Sequence, residues 1–110
     1  MSLNFTTIKG DTFDEVDFQV KKNNVPLDFT DAIIRMQVRQ NYGGVVVLNF
    51  TSEDNNGITI TDAVNGKFKI NEQIIDIPAL TYIYDIEFDY DGLVKTYVSG
   101  NFQITNDVTR

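Results

Sequence analysis

The chain contains no cysteine, no histidine and no tryptophan, and only two prolines in 110 residues. Without cysteine it has neither disulfide nor thiolate ligand, and the redox compartment leaves no mark on the sequence. Without histidine it lacks the usual general base, the commonest zinc ligand and every His-dependent triad. Long hydrophobic runs are missing too. The longest covers residues 45–48, far short of the roughly twenty apolar residues of a membrane-spanning helix. Basic residues are scarce: nine Lys and Arg stand against sixteen Asp and Glu, for a net charge of −7. Phosphate binding requires clustered positive charge, so a nucleic-acid partner is excluded, and an anionic membrane surface with it. The imbalance is spread evenly, with eight acids and five bases in residues 1–55 and eight and four in 56–110. No basic segment followed by an apolar one opens the chain, so no signal peptide is expected.

What is present is strand pattern. The length suits one domain with one core, taken as residues 1–110. Tyr82, Tyr84, Ile86, Phe88 and Tyr90 alternate with Asp85, Glu87 and Asp89, the period-two signature of a strand with one wet face. Val16, Phe18 and Val20 repeat it, as do Ile34, Met36 and Val38. Residues 3–8 form a first strand, ending at Lys9-Gly10-Asp11. Lys22-Asn23-Asn24 is a turn, followed by an extended connection through Pro26. Asn41-Tyr42-Gly43-Gly44 joins the third strand to residues 45–51. Asn65-Gly66 predicts a two-residue hairpin between Ile58-Thr59-Ile60-Thr61 and the Phe68/Ile70 strand. Residues 71–80 read as a loop with a little extended structure, and Phe102 and Ile104 mark a last strand. About eight short strands without a convincing helix predict an all-β chain, an antiparallel β-sandwich.

Register in the 81–100 hairpin follows from burial. A two-residue Asp91-Gly92 turn sets Phe88 opposite Lys95 and sends Val94 and Val98 to the acidic face. A three-residue Tyr90-Asp91-Gly92 loop sets Phe88 opposite Val94, Ile86 opposite Thr96, Tyr84 opposite Val98 and Glu87 opposite Lys95. Each valine kept inside is worth about 1.5–3 kcal/mol, against at most about 1 kcal/mol for the charge pair. The expected hairpin therefore has the three-residue loop, with Gly92 left-handed.

No group of side chains points to catalysis, and the chain is read as no enzyme, with no cofactor and no metal. Asp14, Glu15 and Asp17 lack calcium-loop spacing and suit a solvated strand edge. Asp89 and Asp91 are explained as turn formers. Paired carboxylates could serve a glycosidase, but nothing ties Asp62, Glu72, Asp76 or any other two acids to a shared cleft. Gly66 to Ile70 and Gly100 to Ile104 share Gly-x-Phe-x-Ile, two strands entered from a glycine and no duplication. Tyr82, Tyr84 and Tyr90 belong to the core face. Tyr42, beside two glycines at a hairpin tip, and Tyr97, on the acidic face, are the candidate partner-binding residues, able to anchor a protein or stack on a sugar.

An ordered set of segments carries a resemblance. It runs from Lys9-Gly10-Asp11-Thr12-Phe13 through Val25-Pro26-Leu27-Asp28 and Ile33 to Arg39. It continues with Gly57-Ile58-Thr59-Ile60-Thr61 and Gly66-Lys67-Phe68-Lys69-Ile70, then with Thr81 to Ile86. It closes with Ser99-Gly100 and Phe102 to Arg110. In that order, over nearly the whole chain, it resembles small tail or baseplate structural proteins of tailed phages and prophages, and is similar to the N-terminal domain of baseplate upper proteins. Phe29-Thr30-Asp31 and Leu80 depart from that pattern at turns. The resemblance implies an immunoglobulin-like β-sandwich in a virion, assembled in the bacterial host cytoplasm. Its partners would be other phage structural proteins, with a homo-oligomer as one form, and Arg110 as the end of a separate subunit. It brings no catalytic residue. The alternative is a glycan- or receptor-binding immunoglobulin-like module with Tyr42 and Tyr97 as stacking platforms.

Overall fold

The longest strand pair lies where alternation is strongest. The computed structural model describes residues 2–90 and 92–106. Strand β11 (Thr81–Tyr90) buries Tyr82, Tyr84, Ile86 and Phe88 while Asp85 faces water. Its partner β12 (Leu93–Thr105) is one continuous strand. The expected separate last strand is thus the far end of the hairpin's second arm. Gly100 does not break it but sits opposite Tyr84.

These strands centre a five-stranded sheet, ordered β1 (Phe5–Ile8), β12, β11, β6 (Ile33–Arg39) and β7 (Val46–Thr51). Strand β1 runs parallel to β12, which corrects the expectation of a wholly antiparallel chain. Hairpins force antiparallel neighbours only on strands close in sequence; β1 and β12 come from opposite ends of the chain. A second sheet has the order β3 (Val16–Gln19), β9 (Lys67–Ile70), β8 (Ile58–Asp62). Two short ribbons pair β2 (Thr12–Phe13) with β10 (Gln73–Ile74), and β4 (Lys21–Lys22) with β5 (Val25–Pro26). The extended Pro26 connection is therefore the return arm of a ribbon, turned by Asn23 and Asn24, both at positive φ. The fold is all-β, with several sheets around one core and, among the described residues, one short 3-10 turn at Glu53–Asn55.

Aromatic rings carry the core between the two larger sheets. Phe18 and Phe68 stack at 4.8 Å within the small sheet, and Phe68 meets Phe88 of the large sheet edge-on at 5.5 Å. At the other end Phe5 contacts Phe13, Tyr84 and Phe102. Buried rings of this size dominate the apolar area removed from water.

Two turns differ from expectation. Asp62 pairs with Lys67, so the Asn65-Gly66 hairpin has a four-residue connection. The register slips between Ile60 and Asp62, and the Asp62 carboxylate accepts hydrogen bonds from Asn65 N and Nδ2. An aspartate that caps its own turn this way favours a longer loop. In the β11–β12 hairpin, Tyr90 faces Leu93 and Phe88 faces Lys95, the two-residue register; a bulge between Ile86 and Glu87 then sets Ile86 opposite Val98. The expected Phe88–Val94, Ile86–Thr96, Tyr84–Val98 and Glu87–Lys95 pairs are not formed. The bulge explains why. With Tyr97 as the extra residue, both Tyr97 and Val98 reach the inner side, so the strand gains an aromatic ring where the other register offered Val94. Gly92 is left-handed as expected. Asp91, assigned to that loop, and residues 107–110 of the C-terminal motif lie outside the described residues.

Candidate functional site

The two tyrosines singled out as partner-binding residues are placed on opposite sides of the large sheet. Tyr42 stands at the tip of the β6–β7 hairpin with 91% of its surface exposed. It borders an open groove of about 590 Å³ on the outer sheet face, with Gln37, Arg39, Asp85, Ser99 and Asn101. Strand alternation sets this composition, since β6 and β11 send Gln37, Arg39 and Asp85 outward while Val38 and Tyr84 go inward. The Arg39 guanidinium donates to the Gly44 carbonyl and, at 3.1 Å, to Gln37 Oε1. Those bonds fix both side chains against the turn that carries Tyr42.

Residues 2–4 form the groove's other bank. Leu3 N donates to Ser99 O at 2.9 Å, Asn101 N donates to Asn4 Oδ1 at 2.9 Å, and the Tyr84 hydroxyl donates to the Leu3 carbonyl. Burial pushes the Tyr84 hydroxyl pKa up to about 12. Gly100 makes this approach possible, because a Cβ there would overlap the Leu3 carbonyl oxygen and Asn4 Oδ1.

Tyr97 lies elsewhere. Its ring meets Phe88 edge-on at 5.0 Å and it is half-buried, which corrects its assignment to the acidic face. It helps to line a smaller pocket of about 260 Å³ with Leu27, Phe29, Phe88, Lys22 and Lys95. Beside this pocket the Asp28 carboxylate accepts from Thr30 Oγ1 at 2.6 Å and from Thr30 N at 2.9 Å. The Thr30 hydroxyl, then its amide, holds Asp28 below the ordinary carboxylate range. Tyr42 and Tyr97 therefore cannot form one stacking platform. The second pocket was missed because its residues come from four separate stretches, and only the bulge turns Tyr97 toward them.

The acidic residues serve local pairing. Asp14, Glu15 and Asp17 are exposed, and Glu15 reaches Lys69 at 3.6 Å. Asp89 accepts from Arg35 Nη2 at 2.5 Å, and Glu87 lies 3.8 Å from Arg35 Nε. Among the described residues no three Asp, Glu, His or Cys side chains converge as metal ligands, and no helix is long and apolar enough to cross a membrane. The chemistry on offer is hydrogen bonding in the outer groove and apolar insertion beside two lysines in the inner pocket. No protein-family model matches the chain, and no curated protein shows significant similarity to it.

Proposed function

We propose that the protein is a structural component or adaptor of a phage or prophage tail or baseplate. In this reading it is an immunoglobulin-like β-sandwich that works in the virion through assembly with other structural proteins. One observation carries the reading beyond resemblance: the large sheet ends in β7, six residues with neither a charge nor a proline. Proteins that act alone protect such an edge with lysine, proline or a covering loop. Here the loop after the strand covers its end alone, where Thr51 bridges to Gly57. Val47 within the strand and Tyr42 and Val45 before it are exposed, the makings of a strand-addition surface. The test is co-expression with the products of the neighbouring genes, followed by size-exclusion chromatography with light scattering. Co-elution with a tail or baseplate protein, lost in a Val47→Lys variant, supports the reading. A metabolic neighbourhood and a chain that stays alone with every neighbour would sink it.

A second reading, a glycan- or receptor-binding module, is favoured by the outer groove. Its polar lining, with Gln37, Ser99 and Asn101 beside Arg39 and Asp85, next to an exposed tyrosine suits a sugar's hydroxyls and C–H face. Tyr42 is then the exposed stacking residue there, since Tyr97 lines the other pocket. A glycan array with no signal, or Tyr42→Ala binding as the parent does, removes it.

A further inference from the structure

The inner face of the β11–β12 hairpin continues past the core. Phe88 is its last buried residue on β11; beyond it Tyr90 and Leu93, paired across the strands, are 49% and 66% exposed. Beneath this overhang the pocket of about 260 Å³ opens toward residues 27–32. Its walls are aromatic, with Phe29 and Tyr97 both edge-on to Phe88 at 5.1 and 5.0 Å. Its mouth carries Lys22 from β4 and Lys95 from β12.

Folding alone gives no reason for this arrangement. An apolar residue in place of Lys95, directly opposite Phe88, would extend the core and bury more area. In a chain with nine basic residues and a net charge of −7, two bases flank one aromatic pocket. Neither makes an ion pair among the described residues. Among the described residues the one carboxylate in the lining, Asp28, is engaged by Thr30 of its own loop. The volume suits a single side chain, since a cavity of roughly 150 Å³ already accommodates benzene.

We propose that this pocket docks an acidic segment of a partner protein. One aromatic or branched apolar side chain of that segment inserts among Phe29, Phe88 and Tyr97, and its flanking carboxylates meet Lys22 and Lys95. The proposal rests on the assembly reading and names the chemistry of the partner. A buried aromatic anchor within a charged rim is the usual anatomy of an interaction hot spot. Complementary charge sets which anchor-bearing segment is accepted.

The test titrates the full, 15N-labelled chain with two acetylated pentapeptides. One is Glu-Asp-Phe-Asp-Glu and the other carries lysine at the four flanking positions. The acidic peptide is expected to shift the amides of Phe29, Phe88, Lys95 and Tyr97 saturably, and to bind at least ~10-fold more tightly than the basic one. The Lys22→Glu/Lys95→Glu variant, whose substitutions lie at exposed positions, should reverse that preference while keeping a dispersed spectrum. Equal response to both peptides, no saturable shift, or shifts confined to the Tyr42 groove would overturn the proposal. So would concentration-dependent shifts at the pocket without peptide, which would assign it to a second copy. Failure of the assembly reading is separable. Peptide binding without co-elution of any neighbouring-gene product sinks that reading alone, whereas co-elution together with no saturable, charge-selective peptide shift sinks the pocket alone.

Discussion

Phe88 and Lys95 face each other across the β11–β12 pair, although one is a core residue and the other a charge. The pairing persists because the sheet outruns its core at this end. Lysine at the mouth of a half-open pocket keeps its ammonium in water while its stem lies along apolar surface. Two residues further on, Tyr97 bulges out of register, and Val98, Phe102 and Ile104 return to the buried face. The strand thus meets two demands: an accessible tip, and a sealed centre.

Lys95→Leu is expected to leave stability unchanged or raise it by up to about 1 kcal/mol, at most roughly 4 °C in melting temperature. Thermal unfolding followed by circular dichroism measures this. A residue kept for binding at some cost in stability behaves this way; a marked drop in melting temperature would show that Lys95 holds the hairpin together.

The sequence pattern made the centre of the molecule readable and its ends less so. Alternation in β6 and β11 placed Ile34, Met36, Val38, Tyr82, Tyr84, Ile86 and Phe88 inside, and all are buried. Tyr90, assigned to the same core face, is instead 49% exposed because the strand runs on past the core. Each of those strands has an apolar face that tolerates no slip. The hairpin register was harder, because a one-residue bulge exchanges faces partway along β12, and period-two reasoning assumes a constant phase. Either unbulged register left a defect, a buried lysine in one and no inward Tyr97 in the other. That conflict was the only trace of the bulge. Tyr42 was legible as exposed because glycines follow it at a turn. Gly100 read as punctuation, yet it is a mid-strand point of backbone approach, and no local pattern distinguishes the two.

Arg35 holds three strand positions in one ion-pair cluster. It lies opposite Glu87 and reaches diagonally to Asp89, with all three side chains about one-third exposed. Arg35→Ala should cost about 1 kcal/mol in urea unfolding, more than an isolated surface pair, because it leaves two neighbouring carboxylates without their cation. Arg35→Lys should recover only part of that, since a lysine cannot present the forked donors. Equal stability of Arg35→Ala and the parent would show the cluster to be fully screened.

Alkaline pH should unfold the protein through its buried phenols. Burial raises the pKa of Tyr82 and pushes that of Tyr84 up to about 12. A folded-state pKa above the unfolded value near 10 means that the unfolded chain loses its proton first. Stability is then complete below about pH 10 and falls as pH rises toward about 12. Urea midpoints measured across that window should decline, and Tyr84→Phe should decline less steeply. A parent protein whose midpoint stays flat across the window would contradict the burial of these hydroxyls.

Gly100 and Tyr84, opposite each other on β12 and β11, both hold the Leu3 carbonyl, one by yielding space and one by donating a hydrogen bond. Gly100→Ala forces residues 2–4 off the sheet and strains the Leu3–Ser99 and Asn4–Asn101 hydrogen bonds. The expected cost is about 1–3 kcal/mol, typical of overpacking against backbone. Tyr84→Phe removes only the donor and should cost roughly 1 kcal/mol. Because the alanine already displaces the carbonyl that Tyr84 addresses, the double variant should fall short of the sum by about 0.5 kcal/mol or more. Urea unfolding of the four proteins gives the cycle. Strict additivity would mean that the N-terminal segment is held by contacts other than this carbonyl, and that the outer groove keeps its bank when Gly100 is filled.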